Sequence, residues 1–343
     1  MWSSNWKRYR DMYYVLSCEV QVSPSNVRPF WFYHVNSVEV KKTIDSLDTT
    51  CVVRIPATSK WRSVDGEVSN VQNVDKMHVG DRIDIYLGMD KEHIKPEFSG
   101  YIRNIDVSQQ MVLECIGFEY ELIKSLNTRT FAKTNLRELM QYIISDTSIK
   151  LHGDLPTVEM TNYVIPADIN KREALQQLKE RYGLTIYLSD NELYAGLDFV
   201  PRKGTAKYSI GVNTIGTNEL KHSTQDRKIK IKAVFVKKDN TKTEIEIGDN
   251  DGEQRTVFFY DSGNAADLRT RAEAILEKMR HSDGYRGRLT TFLLPYACPA
   301  MVAEIKDIHN PSRTGKYEIR TITTRFSTSG GRRIIELGNQ LSN

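Results

Sequence analysis

The residues best suited to metal or nucleophilic chemistry are scattered along this 343-residue sequence without a functional spacing. None of the seven histidines lies at the HxxH, HxxxH or HExxH spacing by which one helix holds a metal ion. The GxSxG, GxxxxGK[ST] and GxGxxG motifs of nucleophilic and phosphate-binding sites are also missing from the sequence. We therefore expect no metal site, no cofactor and no enzymatic activity.

Acidic residues offer only one pattern that resembles a ligand loop. The stretch GDNDGE at 248–253 begins like a calcium loop, but it lacks the full spacing and the bidentate glutamate at the twelfth position. Strand-like segments flank it, so the sequence predicts a hairpin turn. None of the 44 acidic residues stands in a sequence context apolar enough to suggest a raised pKa for general acid catalysis.

The four cysteines, Cys18, Cys51, Cys115 and Cys298, are far apart in sequence and form no CxxC pair. Most of them lie in apolar runs such as VLECIGF, where a free cysteine behaves as a small hydrophobic residue. The pattern predicts buried, reduced thiols made in a cytoplasm rather than a disulfide framework or a zinc site.

Composition is that of an ordinary globular protein, with 39% hydrophobic and 27% charged residues. The length suffices for two or three domains. A net charge of +4, from 48 basic and 44 acidic residues, argues against nucleic acid as a dedicated partner. The N-terminus lacks the apolar core of a signal peptide, and no apolar run reaches about 20 residues, so we expect no membrane anchor.

Two groups of residues have the composition of contact surfaces. Residues 1–14 precede the first clear strand and combine aromatic and cationic side chains, which are enriched at protein interfaces. Packing of these rings on their own domain is an equally good interpretation. In the segment KIKIKAVFV the lysines alternate with apolar residues, so they share one strand face that either lines a channel or is simply solvated. The candidate residues are Trp2, Trp6, Tyr9 and Tyr13 for an interface, and Lys228, Lys230 and Lys232 for a channel lining.

The periodicity of the chain divides it into an arm at 1–14 and three further units. Residues 15–126 alternate with period two between turns and predict a small antiparallel β-domain, with a long polar loop at 57–76. Residues 127–200 predict an α/β unit with helices at 135–148 and 170–182, each begun by an Asn-x-x-Glu capping box, and a hairpin around Asp190. Residues 201–343 return to β-structure, with one helix at 265–281. The fold class is α+β, mainly β.

The two β-units contain similar hairpins. GDRIDIYLG at 80–88 is followed by SGYIRNIDV at 99–107, and AMVAEIKDI at 300–308 is followed by TGKYEIRTITTRF at 314–326. Each hairpin has a small residue before the first strand and Ile-Arg-x-Ile in the second. Hairpins of any origin share such features, so the similarity alone is weak support for a repeat.

The order of these segments resembles the hub proteins at the tip of contractile phage tails, from about residue 15 to 337. The resemblance rests on SVEVKKTIDSLDTTCVVRIP, HVGDRIDIYLG and FSGYIRNIDV in the first unit, VIPADINKREALQQLKERYGLTIYLSDNELYAG in the middle, and LPYACPAMVAEIKDI with the strands that follow. The sequence is most similar to the hub of Mu-like phages, the late control protein D family, and is more distantly similar to the N-terminal part of type VI secretion spike proteins (VgrG). It departs from the family in its N-terminal arm and in having Pro299-Ala300 where a Pro-Gly is typical.

The resemblance implies two tail-tube-like antiparallel β-barrel domains, at 15–126 and 201–343, with the small α/β domain between them. It implies a homotrimeric ring in the virion baseplate that adapts a sixfold tail tube to a threefold spike and continues the central channel. The implied partners are other copies of the chain, the tail tube protein, the trimeric spike protein and other baseplate proteins, with DNA only as transient cargo.

Two other functions stay open from the sequence. A tail-associated peptidoglycan endopeptidase is compatible with the fold, because a fold does not determine activity. A single-strand nucleic-acid binder is compatible with small barrels but disfavoured by the balanced charge.

Overall fold

The structure is a computed structural model of the chain. It describes residues 15–25, 28–89, 93–153, 155, 159–182, 184–196, 204–216, 220–223, 228–236, 242–259, 269, 272–273, 275–276 and 284–341. The predicted arm at 1–14, with Trp2, Trp6, Tyr9 and Tyr13, lies outside the described residues.

Strands make up most of the described chain. In order they are β1 (Leu16–Ser23), β2 (Phe30–Phe32), β3 (Ser37–Thr43), β4 (Thr50–Pro56), β5 (Thr58–Arg62), β6 (Val68–Gln72), β7 (Arg82–Met89), β8 (His93–Val107), β9 (Gln110–Ile116), β10 (Arg129–Asn135), β11 (Lys150–Leu151), β12 (Glu159–Ile165), β13 (Thr185–Ser189), β14 (Glu192–Gly196), β15 (Thr205–Ser209), β16 (Lys221–Ser223), β17 (Ile229–Val236), β18 (Lys242–Gly248), β19 (Glu253–Phe259), β20 (Gly284–Thr291), β21 (Val302–Lys306), β22 (Gly315–Ser327) and β23 (Gly330–Leu341). The helices α1 (Leu136–Ile144) and α2 (Lys171–Tyr182) lie between β10 and β13, and short 3-10 helices span Asn73–Lys76, Phe118–Ile123 and Pro311–Arg313.

The N-terminal β-unit is a sheet with strand order β3-β4-β9-β8-β7-β1-β2. Its strands alternate between core and solvent as the sequence predicts; in β4 the buried residues are Cys51, Val53 and Ile55. One segment differs from the prediction. The polar stretch at 57–76 is not a simple loop but contains the β5–β6 hairpin, whose ladder joins Thr58 to Gln72 and Arg62 to Val68.

The C-terminal β-unit repeats the same sheet. Its strand order is β16-β20-β23-β22-β21-β15, which matches β3-β4-β9-β8-β7-β1 both in neighbours and in chain order. We call β1, β3, β4, β7, β8 and β9 the first repeat, and β15, β16, β20, β21, β22 and β23 the second repeat. One pairing differs, because β1 and β7 are antiparallel whereas β15 and β21 are parallel.

Backbone hydrogen bonds at the two similar hairpins confirm the repeat. In the first, the Gly80 N–H donates to the Ile102 carbonyl at 2.8 Å, and the Ile102 N–H donates to the Asp81 carbonyl at 2.9 Å. In the second, the corresponding bonds join Ala300 with Ile319 and Ile319 with Met301, both at 3.0 Å. A β-bulge follows each isoleucine, at 102–104 and at 319–321. Both copies of Ile-Arg-x-Ile therefore occupy one structural position.

The two repeats are joined into one thirteen-stranded sheet. One edge of β22 pairs with β21 near its start and with β3 over Thr321–Ser327, while the other edge pairs with β23. We call the antiparallel pairing of Thr321–Ser327 with Ser37–Thr43 the seam. Among the described strands no pairing closes either repeat into a barrel.

The middle unit packs both helices against small sheets, β10-β12 and β11-β14-β13. The predicted capping box at Asn170 is complete, since Asn170 and Glu173 exchange reciprocal bonds of 2.8 and 3.0 Å. At the first helix Asn135 caps the Glu138 N–H at 2.9 Å, but the Glu138 carboxylate accepts from the Thr134 hydroxyl at 3.1 Å. The apolar face of α1, including Leu136, Leu139, Met140, Ile143 and Ile144, lies in a core shared with α2.

A three-stranded sheet of order β18-β17-β19 is inserted in the second repeat between β16 and β20. The predicted hairpin at GDNDGE is wrong, because β18 and β19 do not pair with each other but lie on opposite sides of β17. The loop crosses the end of β17 so closely that a Cβ at Gly248 would lie 2.2 Å from the Ile229 carbonyl oxygen. Of the predicted helix at 265–281, residues 269, 272–273 and 275–276 are described and helical.

All four cysteines are buried and none of them forms a disulfide, as the sequence predicts. Cys51 and Cys115 face each other across β4 and β9. Within the described residues, no helix has both the length and the apolar character needed to cross a membrane.

Candidate functional site

The seam joins two segments about 280 residues apart in sequence into one sheet. Because it sets how the two repeats are arranged, it is the candidate functional site. Val38, Val40 and Phe326 turn inward there, and the hydroxyl groups of Thr43 and Thr321 hydrogen-bond at 2.8 Å. Outside, Arg325 pairs with Glu39 at 3.2 Å across the ladder. The seam therefore has an apolar inner side and a paired outer side, as expected of a permanent strand pairing.

A buried ion pair fixes the repeats to each other beside the seam. Glu97 on β8 accepts from Arg333 on β23 at 2.7 Å and from the Thr324 hydroxyl at 2.5 Å, and both charged residues are almost fully buried. Arg333 also donates to the carbonyls of Leu293 and Pro295, at 2.5 and 3.2 Å. Since most polar atoms of the pair are satisfied, removing one partner would leave a buried charge without compensation.

The middle unit is tied to the same place. Arg320, the arginine of the second Ile-Arg-x-Ile, pairs with Asp45 just beyond β3, and Lys42 pairs with Asp190 in the β13–β14 turn at 2.9 Å. Beneath these ion pairs a small buried cluster gathers Ile44, Tyr187, Tyr194 and Ala300. The ends of all three units thus meet at one end of the seam.

Lys230 and Lys232 lie on the solvent side of β17 and Lys228 directly precedes the strand, while Ile229, Ile231 and Ala233 are buried on the other side. Each lysine is paired with a carboxylate: Lys228 with Asp251, Lys230 with Glu246 at 2.6 Å and Lys232 with Glu244 at 2.7 Å. The face is therefore a ladder of opposite charges rather than a cationic stripe. Whether it faces a channel stays a prediction.

A cleft of about 580 Å³ lies where the first repeat meets the middle unit, lined in part by Tyr101, Tyr120, Glu121 and Ser148. Its carboxylate, Glu121, accepts from the Tyr101 hydroxyl at 2.6 Å and from the Ser148 backbone and hydroxyl at 2.6 and 2.5 Å. Although partial burial opposes ionisation, these hydrogen bonds hold the pKa of Glu121 below its ordinary value. An ionised carboxylate already bonded to three donors is a structural acceptor, not a general acid.

Glu119 has a raised pKa that its sequence context did not clearly indicate. Burial raises the pKa of Glu119 to about 7, although its Oε1 accepts the Thr49 backbone N–H at 2.5 Å. Its Oε2 has no partner among the described residues. The sequence signal for this burial was the aromatic context of Glu119, which Phe118 and Tyr120 flank in GFEYEL. Glu119 is only 1% exposed, so it is closed to a substrate and acts on stability instead.

Metal-binding clusters are absent from the part of the chain that the structure describes. No three His, Cys, Asp or Glu side chains there are grouped to hold a metal ion. The best-defined polar site is the seam with its ion pairs. Sequence reasoning missed it because the partners come from strands that are remote in sequence.

No family model matches the sequence, and no curated protein matches it significantly. Solved structures do match over nearly the whole chain. The tail protein from Neisseria meningitidis MC58 is 14% identical with a TM-score of 0.67, and the match covers 94% of this chain and 96% of that chain. The 43 kDa tail protein of prophage MuSo2 from Shewanella oneidensis is 10% identical with a TM-score of 0.64, covering 95% and 98%.

A component of the type VI secretion system, the E. coli c3393 protein, is 8% identical with a TM-score of 0.54 and is matched over 94% of this chain and 77% of that one. At these identities the comparison establishes the fold. The chain has the fold of phage tail proteins of prophage origin and of type VI secretion components, which confirms the resemblance inferred from the sequence.

Proposed function

We propose that the protein is a structural, non-enzymatic hub of a contractile phage tail or a related injection particle. In this proposal three copies form a ring that adapts a sixfold tail tube to a threefold spike and continues the central channel. The carrying observation is the internal repeat: one chain holds two equivalent six-stranded sheets, joined at the seam.

A repeat of this kind suits a symmetry adaptor. Three chains with two equivalent sheets each supply six similar positions on one side, while sequence differences between the repeats keep threefold symmetry on the other. The two tail-tube-like barrels that the resemblance implies, at 15–126 and 201–343, belong to this proposal.

The proposed partners are those that the resemblance to tail hub proteins implies. They are other copies of the chain, a tail tube protein, a trimeric spike protein and other baseplate proteins, with DNA only as transient cargo and the virion baseplate as the location. The arm with Trp2, Trp6, Tyr9 and Tyr13 is proposed as a contact surface, and the Lys228–Lys230–Lys232 face as a channel lining.

Mass in solution tests the ring. One chain has a mass of 39.4 kDa, so a trimer has about 118 kDa by light scattering behind a sizing column. Electron microscopy of the purified protein would then show a ring with six similar outer densities. A monomer at all concentrations up to about 100 µM, with and without tube and spike proteins, contradicts the ring.

The alternative, a tail-associated peptidoglycan endopeptidase, has a separate test. A peptidoglycan zymogram of the purified chain is expected to show no cleared band. A band that persists on repurification would favour the peptidase and contradict the structural role.

A further inference from the structure

The repeat allows the position of each strand in one sheet to be transferred to the other. The turns, the bulges after Ile102 and Ile319 and the β8–β9 and β22–β23 ladders correspond, so Asn104–Val107 of β8 takes the place of Thr321–Thr324 of β22. By the same ladders, Lys221–Ser223 of β16 takes the place of Lys41–Thr43 of β3. Leu220 agrees with this, since it is buried like its equivalent Val40.

The equivalent strand edges of the two repeats differ in whether another strand pairs with them. In the second repeat the edge of β22 is covered by β3 at the seam, and Thr324 is fully buried. In the first repeat no described strand covers the edge of β8 beyond Tyr101, and Val107, the equivalent of Thr324, is 46% exposed. Likewise β3 has a strand on each edge, whereas β16 pairs with β20 alone among the described strands.

Transferring the seam register to these two edges gives a specific set of opposed residues. Because Lys41 lies opposite Thr323 in the seam, Lys221 of one edge lies opposite Asp106 of the other. Both side chains are exposed in the single chain, and they carry opposite charge. Opposite charges across an antiparallel pair are stabilising, and an open pair of complementary edges is a template for strand addition. The register thus opposes Val107 to Leu220, Asp106 to Lys221, Ile105 to His222 and Asn104 to Ser223.

We infer that residues 104–107 of one chain pair antiparallel with residues 220–223 of a second copy, forming an intermolecular equivalent of the seam. Each chain holds one complete junction, the seam, and the two open edges that would form a second junction with neighbouring copies. The contact between copies is therefore head-to-tail, and it gives a closed ring when the rotation from one copy to the next closes on itself. This inference rests on the proposed ring and assigns its subunit interface to two strand edges.

A cysteine pair tests the inferred contact. In Asp106→Cys/Lys221→Cys, mild oxidation is expected to give disulfide-linked dimers and trimers on a denaturing gel. The four native cysteines are buried and do not compete. An intrachain bridge is not expected, because six strands separate β8 from β16 in the sheet order.

The seam supplies the matched control. Lys41→Cys/Thr323→Cys places cysteines at the equivalent position of the junction within the chain, and oxidation is expected to give a monomer of altered mobility. A ring of about 118 kDa in which the control pair closes but the 106–221 pair does not would overturn the edge assignment while leaving the proposed ring intact. A monomeric chain under all conditions would overturn both.

Charge reversal gives a second, non-covalent measurement. Asp106→Lys or Lys221→Asp alone is expected to raise the concentration at which rings dissociate by about tenfold, because like charges then face each other. The double variant Asp106→Lys/Lys221→Asp is expected to restore the wild-type value. Equal weakening in single and double variants would contradict the pairing of these two residues.

Discussion

The two repeats use one backbone for two different interiors. At equivalent buried positions the first repeat opposes Ile55 to Met111, whereas the second opposes Thr291 to Arg333. The arginine is accommodated because Glu97 reaches it from the first repeat. The polar residues in the core of the second repeat are thus explained by a partner from the first repeat and not by the fold of the second repeat itself.

The turns that begin the two hairpins show the same contrast. In both, the first residue's N–H donates to a side-chain acceptor of the fourth residue: His78 to Asp81 Oδ2 at 2.8 Å, and Cys298 to Met301 Sδ at 3.3 Å. The third residue has positive φ in both, Gly80 at 93° and Ala300 at 67°. The geometry is retained while the chemistry changes, which indicates that the backbone path is what the repeat preserves.

Breaking the buried ion pair should have the largest effect. Arg333→Met copies Met111 into the second repeat and leaves Glu97 charged and buried, so we expect a loss of about 3–5 kcal/mol in the free energy of unfolding. Urea unfolding measures it. Glu97→Gln/Arg333→Met should cost clearly less, and Met111→Leu, a volume-conserving control, under about 1.5 kcal/mol. Equal costs for the single and double variants would show that the two residues do not act as a pair.

Protonation of Glu119, in the 3-10 helix that follows the first repeat, should have the next largest effect on stability. Its pKa of about 7 in the folded chain lies above the ordinary 4.5, so the folded state holds the proton more tightly. Stability should therefore fall by about 3 kcal/mol as pH rises from about 4.5 through 7. Glu119→Gln should remove this part of the pH dependence in urea titrations at pH 5 and 8. An unchanged pH profile in the variant would assign the dependence to other groups.

Exchanging glycine and alanine at the third residue of the two turns should have a smaller effect on stability. Gly80→Ala places a Cβ at φ +93°, so we expect a cost of about 1–2 kcal/mol. Ala300→Gly relieves about 1 kcal/mol of backbone strain but removes a buried methyl of similar value, so the net change should be small. Thermal unfolding of both variants measures the difference. A cost for Ala300→Gly as large as that for Gly80→Ala would mean that packing, not backbone conformation, dominates this turn.

Thiol labelling of the cysteines should show the smallest effect, but it reports on the unfolding of both repeats. Burial raises the pKa of Cys18 to about 12, and all four thiols are buried, so a thiol reagent at pH 8 should label none of them in the native chain. Three of them lie in the core of the first repeat and Cys298 in that of the second. Mass spectrometry in increasing urea should show them labelled together if the joined sheet unfolds as a unit. Earlier labelling of Cys298 would show that the second repeat opens first.

Local sequence signals determined the elements. Alternation predicted the strands, and the Asn-x-x-Glu pattern predicted both helix starts, because capping and period-two burial depend on residues that are near in sequence. The two Ile-Arg-x-Ile segments signalled the repeated hairpin. The same signals failed at GDNDGE, where the strand inserted between β18 and β19 comes from earlier in the chain, and at 57–76, where polar residues hid a hairpin.

Only the tertiary structure decided how the repeats meet. The seam opposes Ser37 to Ser327 and Thr43 to Thr321, and nothing in either local pattern specifies a partner almost 300 residues away. The pairing of Glu97 with Arg333 and the raised pKa of Glu119 likewise arise from burial that long-range packing creates. Periodicity is a property of neighbouring residues, whereas desolvation and strand partnership are properties of the assembled sheet, so the sequence determined the parts and the fold determined their junction.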